Sequence, residues 1–434
     1  MRNNNCPIKK SQPCPNLAKI EASKGQQKMQ QRARTTREMP GQIFAHCVAA
    51  VENDDVRAAL PVEEHVNSSI RGQRPALPSP NTLTDLGELP EEFGTVGESA
   101  DEHSFVIYDN GAHNPNRMII FATDAGLHCL ANAHTWYMDG NFSMAPNIFN
   151  QVYVIREFIE NTSVTTVYGL LAKKHRRTYD EFLQAIVLAC EGRNIGLNVT
   201  TIMTDFEDAM LRSINGIFGN EVASNGCFYH LTQSTWRKIQ ELGLQRNYDE
   251  DEEFRLFCGM MDGLAFLPVE DVPHGMAFLQ QLVPQFAKEL LNYFDRTYVS
   301  GSMRSVLTPG SHRLRFRRTP PLFPPAVWNM NYEVLGDEPR TNNVCESWNS
   351  KFRHLIGHDH PTIWRVIEFF QKEEMTTAVV RAQYNVGVQP TKRTKATSVA
   401  MHKRLKNICR ERMDGEKTIE ETFKAIGRNI RFYR

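Results

Sequence analysis

The chain has 434 residues, its 50 Lys+Arg balanced by 50 Asp+Glu, with 41% hydrophobic and 23% charged positions. At roughly 100–200 residues per domain, this length predicts two or three structural units with ample core material. The composition excludes collagen, coiled coil and wholesale disorder as descriptions of the whole. The longest apolar stretches, such as 118–122 and 185–190, fall far short of the ~20 residues that span a bilayer, and no apolar stretch follows the first five residues to form a secretory signal. Nine cysteines, an odd number without a CxxC pair, read as reduced thiols. The expectation is a soluble protein of the cytosol or nucleus with no membrane partner.

The neutral total hides blocks of opposite sign. Residues 1–40 carry nine Lys/Arg and two Glu, a net +7; residues 41–104 carry three Arg and twelve acids, a net −9; residues 390–434 carry thirteen Lys/Arg and five acids, a net +8. Basic blocks of this kind bind phosphate backbone by counterion release, or serve as solvated tails and targeting signals. Residues 1–100 therefore read as a disordered segment, basic and then acidic, with a Pro-rich linker over 75–100. Cys6 and Cys14 have no further ligands nearby to complete a zinc site.

From about residue 104 the texture becomes β-rich. The runs 104–108 and 117–122 flank Asp109-Asn110-Gly111 and predict a hairpin. Three further apolar, β-branched runs over 135–142, 151–159 and 165–172 predict an antiparallel meander. Thr178-Tyr-Asp-Glu181 reads as a capping box opening a helix to about Gly192. A strand over 201–206, a helix over 207–218, a strand over 223–230 and a helix over 231–242 follow. The order β-β-β-α-β-α-β-α predicts a mixed α/β sheet over 101–242. A mainly helical insertion spans 243–338, the last core helices span 339–385, and 386–434 form a basic tail.

Three acids carry the chemistry. Asp139 lies inside the first core strand, Asp205 closes the fourth, and Glu346 sits in the first turn of a helix opening near Asn343. A carboxylate in an apolar strand is costly unless paired or metal-bound. Converging on one point, the three suit hard divalent cations, Mg²⁺ or Mn²⁺, and two such ions run phosphodiester chemistry. Taken singly, each acid also fits an ordinary turn or cap.

The motifs around these acids resemble the transposase domain of Mutator-like elements over residues 104–370. The resemblance rests on Trp136-Tyr-Met-Asp-Gly-Asn-Phe142, Met203-Thr-Asp-Phe-Glu-Asp-Ala209, Gly226-Cys-Phe-Tyr-His-Leu-Thr-Gln233, and Arg340-Thr-Asn-Asn343 with Glu346-Ser-Trp348. It implies an RNase H-like fold of the DDE/DDD recombinases and Asp139, Asp205 and Glu346 as a catalytic triad binding two Mg²⁺ (or Mn²⁺) ions. It also implies strand cleavage and 3′-hydroxyl transfer on transposon ends and target DNA, by a homo-oligomer in the nucleus. Cys227 and His230 match the family's Cys-x-x-His motif and are read as positioning the site or contacting DNA. The family usually has Thr where this chain has Asn141, and no zinc-binding recognition module stands in residues 1–100. A degraded or domesticated copy that binds DNA or chromatin without catalysis is the competing reading; a plain RNase H-type nuclease has no need of the long insertion.

Arg313, Arg315, Arg317 and Arg318 surround Phe316 late in the insertion, as phosphate contacts beside a stacking ring or as a solvated edge. The basic groups at 392–395 and 403–406 resemble nuclear-import or phosphate-binding patches.

Overall fold

The computed structural model describes residues 15–35, 40–73, 78–97, 103–307, 314–337, 339, 341–388 and 396–431, and divides them into a unit ending at Ser79 and a unit from Pro80 onward. Cys6, Cys14 and the basic group at 392–395 lie outside these residues.

The first unit departs from the disorder expected of it. Helices Pro15–Thr35, Pro40–Ala49, Asp54–Ala59 and Glu63–Gln73 enclose two small cores, Ala18, Ala22 and Val56 in one and Met29, Ala33, Ile43, Val66 and Ile70 in the other. Ala18, Ala22, Met29 and Ala33 lie along one side of the first helix. So narrow a stripe disappears when hydrophobicity is averaged over a Gln- and Lys-rich segment.

In the second unit, residues 80–97 are no linker. Thr82 and Asp85 form a reciprocal capping box, and Leu86, Phe93 and Val96 are buried. The Phe93 ring lies 4.7 Å from that of Trp364.

The centre is a seven-stranded sheet in the order Val106–Asp109, Met118–Phe121, Thr162–Leu171, Gln151–Ile159, Thr135–Asn141, Thr201–Thr204, Ala223–Gly226. The first five positions pair antiparallel, and the last two strands run parallel to Thr135–Asn141. Gln151–Ile159 is buried along almost its whole length because helices cover both faces. On one face Trp136, Met138 and Ile202 pack with Leu127, Phe182, Ile186, Met210 and Ile214. On the other, Val152, Val154, Tyr168 and Leu170 meet Trp348, Phe352, Val366 and Phe370 from helices Asn343–Ile356 and Ile363–Asn385.

Two boundaries move. Helix Arg176–Glu191 begins before Thr178, whose side chain is buried inside it, so the capping box does not form there. The last core strand stops at Gly226 and helix Phe228–Glu241 follows at once, placing Cys227 at its N-cap and His230 in its first turn. Helix Asp124–Asn132 between the hairpin and the meander is an addition to the expected order.

The insertion is mainly helical, with one two-stranded ribbon, Ser302–Leu307 against Leu314–Thr319. Its core joins Phe254, Phe257, Met261, Met276, Leu279 and Trp328 to Leu405, Cys409, Phe423 and Ile426. The last four belong to helices Ala396–Met413 and Ile419–Arg431, so most of the basic tail is folded. Three of its cations pair with acids elsewhere in the fold: Arg412 with Asp271, Lys406 with Asp337, and Arg431 with the fully buried Asp262. A net count of +8 cannot register such partners, because they lie far away in the sequence. Among the described residues the cysteines are free and no helix is long and apolar enough to cross a membrane.

Candidate active site

The register of two neighbouring strands builds the centre of the site. Tyr137 pairs with Met203 across the parallel strands. Side chains alternate between faces, so Tyr137 and Met203 point away from Trp136, Met138 and Ile202 and into the insertion-side core. Two residues further, the same parity sets Asp139 and Asp205 side by side at the carboxyl ends of these strands. Asp139 is 6% exposed. Burial, the negative charge of Asp205 and that of Glu346 push its carboxyl up to about 7, against the pull of His230 and an Asn349 hydrogen bond. Burial likewise raises Asp205, opposed by His230 and by the Thr204 hydroxyl, 3.4 Å from its Oδ1.

Glu346 reaches this centre from the helix. Its carboxylate, 40% exposed, stands 3.1 Å from His230 Nε2, and that hydrogen bond lowers its pKa. Burial works against the imidazolium of His230; contact with the Cys227 sulfur, the Glu346 carboxylate and the charge of Asp205 overcome it and raise the pKa to about 10. His230 therefore enters the site as a cation facing three acids.

Cys227 ties these elements together. Its sulfur accepts the Asn342 N–H at 3.1 Å, Asn342 Nδ2 donates to the Met138 carbonyl at 2.8 Å, and the Cys345 thiol donates to the Tyr137 carbonyl at 3.6 Å. The N-terminus of the Glu346 helix is thus fastened both to the His230 turn and to the Asp139 strand.

Asn349 is a site residue that sequence reasoning overlooked. Its Nδ2 donates to Asp139 Oδ2 at 2.7 Å, and its Oδ1 accepts from Asn141 Nδ2 at 2.9 Å. Asn141 stands where the family usually has Thr, and that departure supplies an amide able to span to the helix. The available signal was spacing: Glu346 and Asn349, three residues apart, share a helix face. Replacing Asn349 with Ala removes a donor that favours the ionised Asp139. We expect Mn²⁺ affinity near neutral pH to fall about tenfold, measured by calorimetry; unchanged affinity would show that the amide does not hold the carboxylate. Behind Asp205, Tyr179 donates to Glu207 at 2.7 Å and accepts from Gln151 at 2.9 Å, and burial raises the Glu207 pKa.

Among the described residues, the arginines belong to the ribbon and make no hydrogen bond or ion pair with the three acids. Arg317 and Arg318 are exposed, and Arg318 donates to the Ser300 carbonyl at 3.2 Å. Arg315 pairs in register with Val306. Arg313 and the Arg315 side chain lie outside the described residues.

A cation has only a partial seat here. Among the described residues no three His, Cys, Asp or Glu side chains are grouped closely enough to hold a metal ion. Yet buried Asp139 stands beside the partly exposed Asp205, burial and then the Asp205 charge raise the Asp139 pKa, and such an oxygen pair suits a hard divalent ion. One oxygen of Glu346, Oε1, is held by His230 Nε2. The donors fit; one oxygen of the third is engaged elsewhere.

A mixed sheet with two acids at the ends of adjacent parallel strands, covered by a helix bearing a third, defines an α/β protein with a carboxylate-centred site. Residues 136–234, which include Asp139, Asp205, Cys227 and His230, match the family model of the MULE transposase domain. Over this segment the chain is similar to the MULE transposase domain. The match stops short of Glu346 and of the ribbon. No curated protein and no solved structure matches the chain.

Proposed function

We propose that the chain is a metal-dependent DNA transposase of the Mutator-like class, cleaving strands and joining the freed 3′-hydroxyl to a target phosphodiester, whose own 3′-oxygen leaves. The observation that carries this is the pairing of buried Asp139 with Asp205, set side by side by the register of two adjacent parallel strands. The strand order supports an RNase H-like core: three antiparallel strands lie beside two parallel ones, with the acids on the central strand and its parallel neighbour. Asp139, Asp205 and Glu346 would hold two Mg²⁺ or Mn²⁺ ions. Bound there, the ions would supply Lewis acidity for the attacking and leaving oxygens. His230 holds Glu346 in its metal-free position and presents positive charge where a phosphodiester must approach. Asn349 keeps one Asp139 oxygen oriented. DNA ends and target DNA are the partners on this reading, a homo-oligomer the working form, and the nucleus the compartment.

The test is incubation of the full chain with duplex DNA and Mn²⁺. The expected result is strand nicking that leaves 3′-hydroxyl ends, suppressed by chelator; intact DNA under these conditions would contradict the reading. One observation favours the alternative of a transposase-derived DNA- or chromatin-binding protein without catalysis: Glu346 is occupied by His230.

The acid pair also sets a pH dependence. Between the ordinary carboxylate range and about 7 the folded protein keeps a proton on Asp139 that the unfolded chain releases. Stability of the metal-free protein therefore falls as pH rises through that window, and the raised Asp205 acts in the same direction. A bound divalent cation offsets the repulsion only where the acids are ionised. The expected result is a larger Mn²⁺-induced rise in Tm at about pH 8 than at about pH 5.5; equal rises at both would contradict it.

A further inference from the structure

The ribbon Ser302–Leu307/Leu314–Thr319 carries an arrangement that the folded chain itself does not explain. Arg304 pairs directly with Arg317 across the strands, so two guanidinium groups share one face at adjacent positions. Like charges placed opposite each other destabilise a strand pair. Both are exposed, and neither is hydrogen-bonded or ion-paired to another described residue. The two strands contain no acid. The reverse face carries Met303 and Phe316, 64% and 73% exposed. A two-stranded ribbon has little stability of its own, yet the base of this one is firmly rooted.

The root lies against the active site. Gly301, at φ +77°, turns the chain into the ribbon where an added Cβ would meet the Thr319 carbonyl. Below it, Trp328 Nε1 donates to the carbonyls of Tyr298 and Phe323, both at 3.0 Å. The Tyr298 and Phe323 rings pack on Phe206, with centroids at 5.7 and 5.0 Å. Phe206 is the residue after Asp205, and its ring in turn fills the space beside Gly226, at the entry to the Cys227–His230 turn. What the ribbon grips is thereby held in fixed relation to the acids.

We propose that this ribbon is a duplex-DNA arm, its Arg304–Arg317 face binding backbone phosphates next to the active site. Two exposed arginines side by side attract an anion and match the repeated phosphates of one strand. The major groove is wide enough to admit a two-stranded ribbon. The assignment rests on DNA being the substrate, and its test does not depend on catalysis.

The full chain is titrated into a labelled duplex of roughly 30 base pairs in chelator, at several salt concentrations, with anisotropy as the readout. For Arg304→Ala/Arg317→Ala we expect affinity to fall roughly tenfold and the slope of log K against log salt to become shallower by about 1.8, two phosphates at about 0.9 each. Lys372→Ala/Arg428→Ala removes the same charge from exposed positions elsewhere and is expected to change affinity by less than about twofold. Equal losses in the two double variants, or an unchanged slope in the first, would overturn the arm while leaving the catalytic reading intact. Arm-dependent binding by a protein that never nicks DNA would uphold the arm and remove the catalytic reading. A wild-type chain that binds no DNA would overturn both.

Discussion

Asp205→Asn is expected to lower Mn²⁺-dependent nicking by roughly a thousandfold or more while leaving the fold intact, since electrostatic stabilisation of the reacting oxygens is the main contribution of such a site. The change keeps the side chain's shape and its contact with the Thr204 hydroxyl. It also removes the charge that raises Asp139, so the metal-free protein at about pH 8 should be no less stable than wild type. Activity and melting temperature measured on one preparation separate the two effects. Equal nicking by variant and wild type would remove Asp205 from the chemistry; lost activity with a collapsed melting temperature would place its role in folding.

The second large effect concerns the C-terminal helix. Gly259 lies so close to helix Ile419–Arg431 that an added Cβ would come within 2.8 Å of the Gly427 carbonyl oxygen and of Arg431 Cγ. Backbone cannot yield as a flexible side chain can. Gly259→Leu must therefore lever the helix away, exposing Phe423 and Ile426 and stripping Asp262 of its Arg431 partner. Overpacking costs about 1–3 kcal/mol, and a buried carboxylate left without its cation about 3–5 kcal/mol, so together they consume much of a domain's stability. The expected result is a lowered Tm with early proteolysis near residues 413–419. A Tm unchanged from wild type would show that the C-terminal helix is not structurally required.

The meander and both aspartates are legible in the sequence because local patterns specify them. Three β-branched runs separated by turn residues mark the strands, and an acid inside an apolar run stands out without knowledge of its partners. The Glu346 helix is legible for the same reason, with Trp348 and Phe352 on its buried face. What escapes is what depends on distant pairing. Disorder is expected over 15–35 because its apolar stripe is one residue wide, and a solvated tail over 396–431 because Asp262, Asp271 and Asp337 lie 69 to 169 positions away in the chain. Asn349 escapes because an amide on a helix surface acquires meaning only when Asp139 and Asn141 are set opposite it. Arg304 escapes because its partner, Arg317, is fixed by strand register across a turn.

Mn²⁺ binding by the full chain at about pH 8, followed by electron paramagnetic resonance and calorimetry, tests the central claim without reference to turnover. Wild type should bind the ion, and Asp139→Asn and Asp205→Asn should each abolish binding, with Glu346→Gln weakening it. Binding of equal strength in wild type and both aspartate variants, or none in wild type, would contradict the account.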